Sequence, residues 1–278
     1  MKTGEYLYGL ARARRILHSL YSSQPMLIVG TNKTDTILDT LPESYLLIDD
    51  GPVIDAIAFP KRRKITRLDF SHHSFNPLKG MGYLEARQVI EILNAVFPEG
   101  ESTLTRKNSN FVLLNALLSK PKSLDTLIAK NQDPAQIDAY QKVETILLSP
   151  LLNRVLCHAN NFPFTGILIA QLDRATMGDF DCFVLANLLI TKYKGHIVVP
   201  DFGFYACANH IQLMRQQRLI AGVNFLDEVS TKIRQNLLLM ELKLARRSTH
   251  EDAERLAQYA RIPKDTNAYG DFIDACLQ

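Results

Sequence analysis

Apolar residues in this chain come in short unbroken runs, separated by segments in which apolar positions recur every three or four residues. Met26–Val29, Tyr45–Ile48, Gly166–Leu172, Ile197–Val199 and Leu219–Val223 read as strands covered on both faces, and Ile65–Phe70 as a shorter one. Thr34–Thr40, Phe180–Tyr193 and His210–Arg218 carry the helical spacing between them. Strand–helix–strand at these intervals predicts an α/β fold with a mostly parallel sheet flanked by helices. Val29, Ile48, Ile169, Val199 and Val223 are expected on adjacent or near-adjacent strands. The pattern changes in the middle of the chain. Tyr83–Val96, Thr103–Leu118 and Pro134–Leu148 are all helical in spacing, which makes about 81–156 a helical insertion. Near the C-terminus, Glu251–Tyr259 reads as a charged helix behind a capping box, Ser248-Thr249-His250-Glu251. Residues 1–24 read as an amphipathic helix, with Tyr6, Leu10, Leu17, Leu20 and Tyr21 on one side and Arg12, Arg14 and Arg15 on the other; residues 25–278 form the main domain.

Composition adds little but excludes several classes. The chain has 278 residues, 46% hydrophobic and 22% charged, which is ordinary for a globular protein with a sizeable core. A net charge of +3 is far below that of a dedicated nucleic-acid-binding domain. Cys157, Cys182, Cys207 and Cys276 are scattered with no C-x-x-C pair, so reduced thiols are expected rather than a zinc knuckle. His72 and His73 are neighbours, and neighbours on a strand point to opposite faces, so no metal site is expected there. No run approaches the ~18–20 apolar residues needed to cross a bilayer, and the expected location is cytoplasmic, with recruitment to a membrane complex through partners.

Two strand ends carry candidate chemistry. After Met26–Val29 comes Gly30-Thr31-Asn32-Lys33-Thr34 and then a helix, the context of a phosphate-binding P-loop. Gly30, Thr31, Lys33 and Thr34 are the candidate nucleotide-binding residues. The motif G-x-x-x-x-G-K-[ST] has four residues before its second glycine; here two residues separate Gly30 from Lys33, and Asn32 stands where glycine belongs. A cradle of backbone N–H groups needs glycine to curl, and two residues cannot make it. After Ile197–Val199 the chain reaches Asp201, a carboxylate at a strand end, the position from which P-loop NTPases handle Mg²⁺. The basic run Lys61-Arg62-Arg63-Lys64 is the candidate nucleic-acid contact.

Taken in order, these segments resemble the translocase ATPases of the FtsK–HerA superfamily, specifically type IV secretion coupling proteins and conjugation ATPases. The resemblance runs from Met26 to Gln278. MLIVGTNKT is similar to the P-loop strand and loop, LLIDDGPVIDAI to the following strand and turn, and SFNPL (Ser74–Leu78) to the family's Phe-Asn-Pro-Leu turn. GILIAQLDRATMGDFDCFVLANLLI resembles the strand and helix before Walker B, and IVVPDFGFY resembles Walker B itself. MRQQRLIAGVNFLDEV resembles the segment that senses the γ-phosphate, and STHEDAERLAQYA the C-terminal helix.

The resemblance implies a P-loop NTPase of the RecA/FtsK-like type, with Asp201, Asn224 and Arg218 at the catalytic places. It also shows the departures. The family's water-activating glutamate is replaced by Phe202, its glutamine by Asn224, and the loop is shortened. The expectation is therefore a catalytically degenerate ATPase subunit of a DNA or protein translocation or packaging machine, as in conjugation, type IV secretion or viral genome packaging. No bound cofactor is expected; ATP and Mg²⁺ belong to it only if the degenerate site still binds, and Phe202 is expected to fill part of that cleft. Protein partners, among them an active ATPase or a secretion or packaging complex, are implied, together with DNA and self-association. Two other readings stay open. One is an active, atypical translocase ATPase using Glu228, Asp227 or a partner residue as base and Arg215 or Arg218 in trans. The other is a non-enzymatic nucleic-acid-binding or scaffold protein on the same fold.

Overall fold

The computed structural model describes residues 25–31, 33–51, 53, 65–97, 103–129, 137–216, 218–240 and 242–278; the basic segments 1–24 and 61–64 lie outside them. Seven strands pair in parallel: β1 (Met26–Val29), β2 (Tyr45–Asp49), β3 (Ile65–Leu68), β4 (Ile167–Gln171), β5 (His196–Val199), β6 (Leu219–Val223) and β7 (Leu242–Ala245), in the order β3-β4-β2-β5-β6-β1-β7. This is the α/β architecture that the alternating runs predict. The strands run parallel, so all their C-terminal ends meet at one edge of the sheet.

Alternation along each strand splits the core in two. Leu27, Val29, Leu46, Ile48, Ile197 and Val199 face a large core under most of the helices. Met26, Ile28, Tyr45, Leu47, Ile169 and Val198 face a smaller one with Ile37 of the helix after β1. Both faces are covered, which is why these strands read as continuous apolar runs.

The helices are α1 (Lys33–Thr40), α2 (Tyr83–Val96), α3 (Thr103–Leu118), α4 (Leu124–Ala129), α5 (Ile137–Leu148), α6 (Pro150–Leu156), α7 (Arg174–Met177), α8 (Asp179–Lys192), α9 (Phe202–Tyr205), α10 (His210–Arg215), α11 (Thr231–Leu238), α12 (His250–Tyr259) and α13 (Asn267–Leu277). Helices α2 to α6 all fall between β3 and β4, and α2 packs on α8. The Ser74–Leu78 turn ties this helical layer to the chain before β4. Phe75 is fully buried with its ring edge-on to Phe162 and Phe164, at 6.2 and 5.7 Å. Asn76 accepts from Leu78 N through Oδ1, while its own N–H donates to Asn160. An asparagine holding its own turn in this way makes the motif a structural joint.

Several elements differ from the sequence expectation. Strand β7 and helices α4, α6, α7, α9, α11 and α13 are additional. Residues 237–245 run apolar into apolar with no turn residue, so the end of α11 and the start of β7 leave no mark in the pattern. Helix α10 stops at Arg215 rather than Arg218. The cap of α12 is Thr249, not Ser248: Thr249 accepts from Asp252 N, and the Ser248 hydroxyl donates to Cys276 O of α13.

Candidate functional site

The loops after β1, β2, β4, β5 and β6 leave the sheet at its C-terminal edge, where open α/β sheets hold their ligands. Because β2 lies between β4 and β5, the chain that follows each of those three strands is brought together.

Lys33 opens α1, and its ammonium donates to Asn224 Oδ1 at 2.8 Å. Asn224 follows β6 and is itself held. Its Nδ2 donates to Glu228 Oε1 at 2.9 Å and its backbone N to Glu228 Oε2 at 3.0 Å. Burial pulls the Lys33 ammonium below the usual lysine range, against the opposing carboxylates of Asp201, Glu228, Asp50 and Asp49.

A second set of pairs sits beside the first. Arg174, the first residue of α7, reaches Asp50 Oδ2 and Asp201 Oδ2 with one nitrogen, at 3.3 Å each. Its guanidinium lies 4.4 Å from the centre of the Phe204 ring, within cation–π range. Burial raises the Asp201 carboxyl above the ordinary aspartate range; Lys33 and Arg174 oppose that rise, while Asp50 and Glu228 add to it.

Small residues let these groups approach. A Cβ on Gly222 would stand 2.5 Å from Pro200 O and 3.0 Å from Lys33 Cδ, and one on Gly203 would stand 2.5 Å from Glu228 Oε2.

The sequence candidates divide accordingly. Lys33, Asp201 and Asn224 share the edge. Gly30 is the last residue before the loop, Thr31 is exposed and Thr34 half-buried in α1. Arg218 precedes β6 and lies at the opposite edge of the sheet. Its guanidinium donates to Gly195 O and Tyr193 O, at 2.7 and 2.8 Å, so within one chain it has no part in the cleft. Phe202 does not fill the cleft. Its ring is fully buried and packs on the imidazole of His210, 5.3 Å between centroids, because α9 turns that side chain inward. Lys61, Arg62, Arg63 and Lys64 lie outside the described residues. Arg174 was missed. Asp173 caps α7 by accepting from Ala175 N, a recognisable start signal, but nothing along the chain says that β4 ends beside β2.

Two residues separate Gly30 from Lys33, Lys33 is engaged by Asn224, and Asp201 is paired with Arg174.

Comparison with protein-family models and with curated proteins gives no match. Comparison with solved structures does. VirB4 of Thermoanaerobacter pseudethanolicus superposes with a TM-score of 0.60 at 12% identity, covering 90% of this chain and 83% of that one. The bacterial conjugative coupling protein TrwB, in its unbound monoclinic form, gives a TM-score of 0.54 at 12% identity, covering 86% of this chain and 73% of that one. TrwB in complex with the ATP analogue ADPNP gives 0.54 at 13% identity, covering 92% and 83%. This chain has the fold of TrwB and VirB4. The resemblance read from the segments is thus met at the level of architecture, on a P-loop ATPase fold with little sequence identity. No helix among the described residues is long and apolar enough to cross a membrane.

Proposed function

We propose that the chain is a catalytically degenerate ATPase-like component of a translocation machine, of the kind that TrwB and VirB4 represent, acting in the cytoplasm through protein partners rather than through turnover. The observation that carries this reading is the set of internal pairs in the cleft. Lys33 holds Asn224, Asn224 holds Glu228, and Arg174 holds Asp50 and Asp201. Lys33, Asn224, Asp50 and Asp201 each already have a partner within the chain. The fold supports the machine; the conjugation, secretion or packaging context, DNA contact through Lys61–Lys64 and self-association belong to the proposal.

The test is ATP hydrolysis by the purified protein, alone and with DNA, with no turnover above background expected. A water-activating group typically contributes ~10²–10⁴-fold to the rate, and the shortened loop removes phosphate binding as well. Phe202→Glu is not expected to restore activity, because residue 202 points into the core; a buried carboxylate there should lower stability instead. Turnover near ~1 s⁻¹, lost in Lys33→Ala, would overturn the proposal. Glu228 supports the second reading, an active atypical ATPase, because its carboxylate stands among Lys33 and Asn224. Activity that also disappeared in Glu228→Gln would establish that reading.

A further inference from the structure

The position of Arg174 says something about the cleft that the missing glutamate does not. It comes from the loop after β4, whereas its two partners come from the ends of β2 and β5, the strands that follow β4 in the sheet. One nitrogen lies midway between two carboxylate oxygens that belong to separate loops. That is the bridging role a divalent cation plays between carboxylates. The arginine is well placed to hold the position. Asp173 fixes the start of α7 by accepting from Ala175 N at 3.0 Å, the Phe204 ring supports the flat face of the guanidinium, and its side chain is only one-third exposed.

Charge makes the arginine necessary. Lys33 responds electrostatically to Asp49, Asp50, Asp201 and Glu228, so four carboxylates surround this corner of the sheet. Among the described residues, Lys33 and Arg174 are cations set between those carboxylates. Two close carboxylates cannot both stay ionised and buried without positive charge between them. A guanidinium is always charged and needs no metal to be supplied.

We infer that Arg174 is a built-in counter-ion that takes the place of a divalent cation between Asp50 and Asp201, so that this chain excludes metal from the cleft and Arg174 is the residue that decides it. The inference deepens the reading of the same site but concerns the metal alone. Measurable ATP hydrolysis would sink the proposed function without settling the point, and metal binding by the wild type would sink this inference without proving turnover.

The experiment follows Mn²⁺ binding to the full chain, by loss of the free-ion electron paramagnetic resonance signal and by thermal melting in rising Mn²⁺. The wild type should take up no Mn²⁺ at millimolar concentration and its melting temperature should not move. Arg174→Ala should gain one saturable Mn²⁺ site and melt several degrees higher with the metal than without it, since a ligand that binds only the folded state raises its melting temperature. Adding Asp50→Asn to that variant should abolish the gain, and Arg174→Lys should bind no metal. If Arg174→Ala does not fold, as judged by circular dichroism, Arg174→Gln takes its place. Stoichiometric Mn²⁺ binding by the wild type that is lost in Asp201→Asn would overturn the inference. Folded Arg174→Ala that gains no site, or a gain that survives Asp50→Asn, would overturn it too.

Discussion

Gly30→Ala is expected to cost on the order of 4 kcal/mol or more, a large share of the ~5–15 kcal/mol by which a domain is typically stable. Gly30 has φ +119°, a conformation that side-chain-bearing residues rarely adopt, and an added Cβ would stand 1.8 Å from Arg246 O and 2.8 Å from Arg246 C. Those atoms are backbone and cannot swing aside. They are also pinned: Arg246 N donates to Val29 O at 3.0 Å, and Gly30 N donates to Val223 O at 2.9 Å. A methyl group at residue 30 must therefore lift the end of β7 away from β1 and break the edge of the sheet. Gly80 supplies the comparison, because it has φ +69° with nothing within 4 Å of its Cβ. Gly80→Ala should cost only ~1 kcal/mol from backbone strain. Urea denaturation of both variants reads the difference directly. If Gly30→Ala were within 1 kcal/mol of wild type, the close approach of Arg246 would be wrong. The result also bears on function, for it accounts for the one glycine of the degenerate loop by its packing against β7 and requires no phosphate.

The fold was legible where physics writes it locally. A strand buried on both faces must be a continuous apolar run, so Met26–Val29, Tyr45–Ile48 and Leu219–Val223 declare themselves. Strand β7 did not, because Lys243 interrupts it and α11 runs into it without a turn residue. The site was legible only in part, for a different reason. Lys33, Asp201 and Asn224 each follow a strand, so each could be assigned to the ligand edge from the sequence. Arg218 precedes its strand, and the same reasoning should have sent it to the opposite edge, where it binds Tyr193 O and Gly195 O. The pairing of Arg174 with Asp50 and Asp201 depends on β2 lying between β4 and β5, a spatial order that no local pattern encodes. Phe202 was misplaced because one short helix, α9, decides which way it points.

Acid is expected to destabilise the protein through His210, which lies beside the Walker B-like loop and is fully buried. Its Nδ1 accepts from Cys207 N at 3.2 Å, so Nε2 carries the proton in the neutral ring, and that buried N–H has no partner. Nothing around the ring welcomes a second proton, and burial lowers its pKa to about 3. In the unfolded chain the same imidazole titrates near ~6.5. Between those values the unfolded state binds a proton that the folded state refuses. Stability is therefore fully present above the unfolded pKa and falls as the pH drops, by up to ~1.4 kcal/mol per pH unit. At pH 4.5 the loss from this one group should reach ~2–3 kcal/mol. Asp201 acts in the opposite sense, since its raised pKa means that protonation relieves a burial cost, but it is partly exposed and the effect is smaller. His210→Asn separates the two. The asparagine oxygen can still accept from Cys207 N, so the loop keeps its hydrogen bond while the titrating ring is gone. The variant should be less stable at pH 7, because the ring that packs on Phe202 is lost, yet its stability should fall far less steeply between pH 6.5 and 4.5. An unchanged slope in urea titrations would assign the acid sensitivity to other groups. A flattened slope would assign the acid sensitivity to protonation of the buried His210 ring.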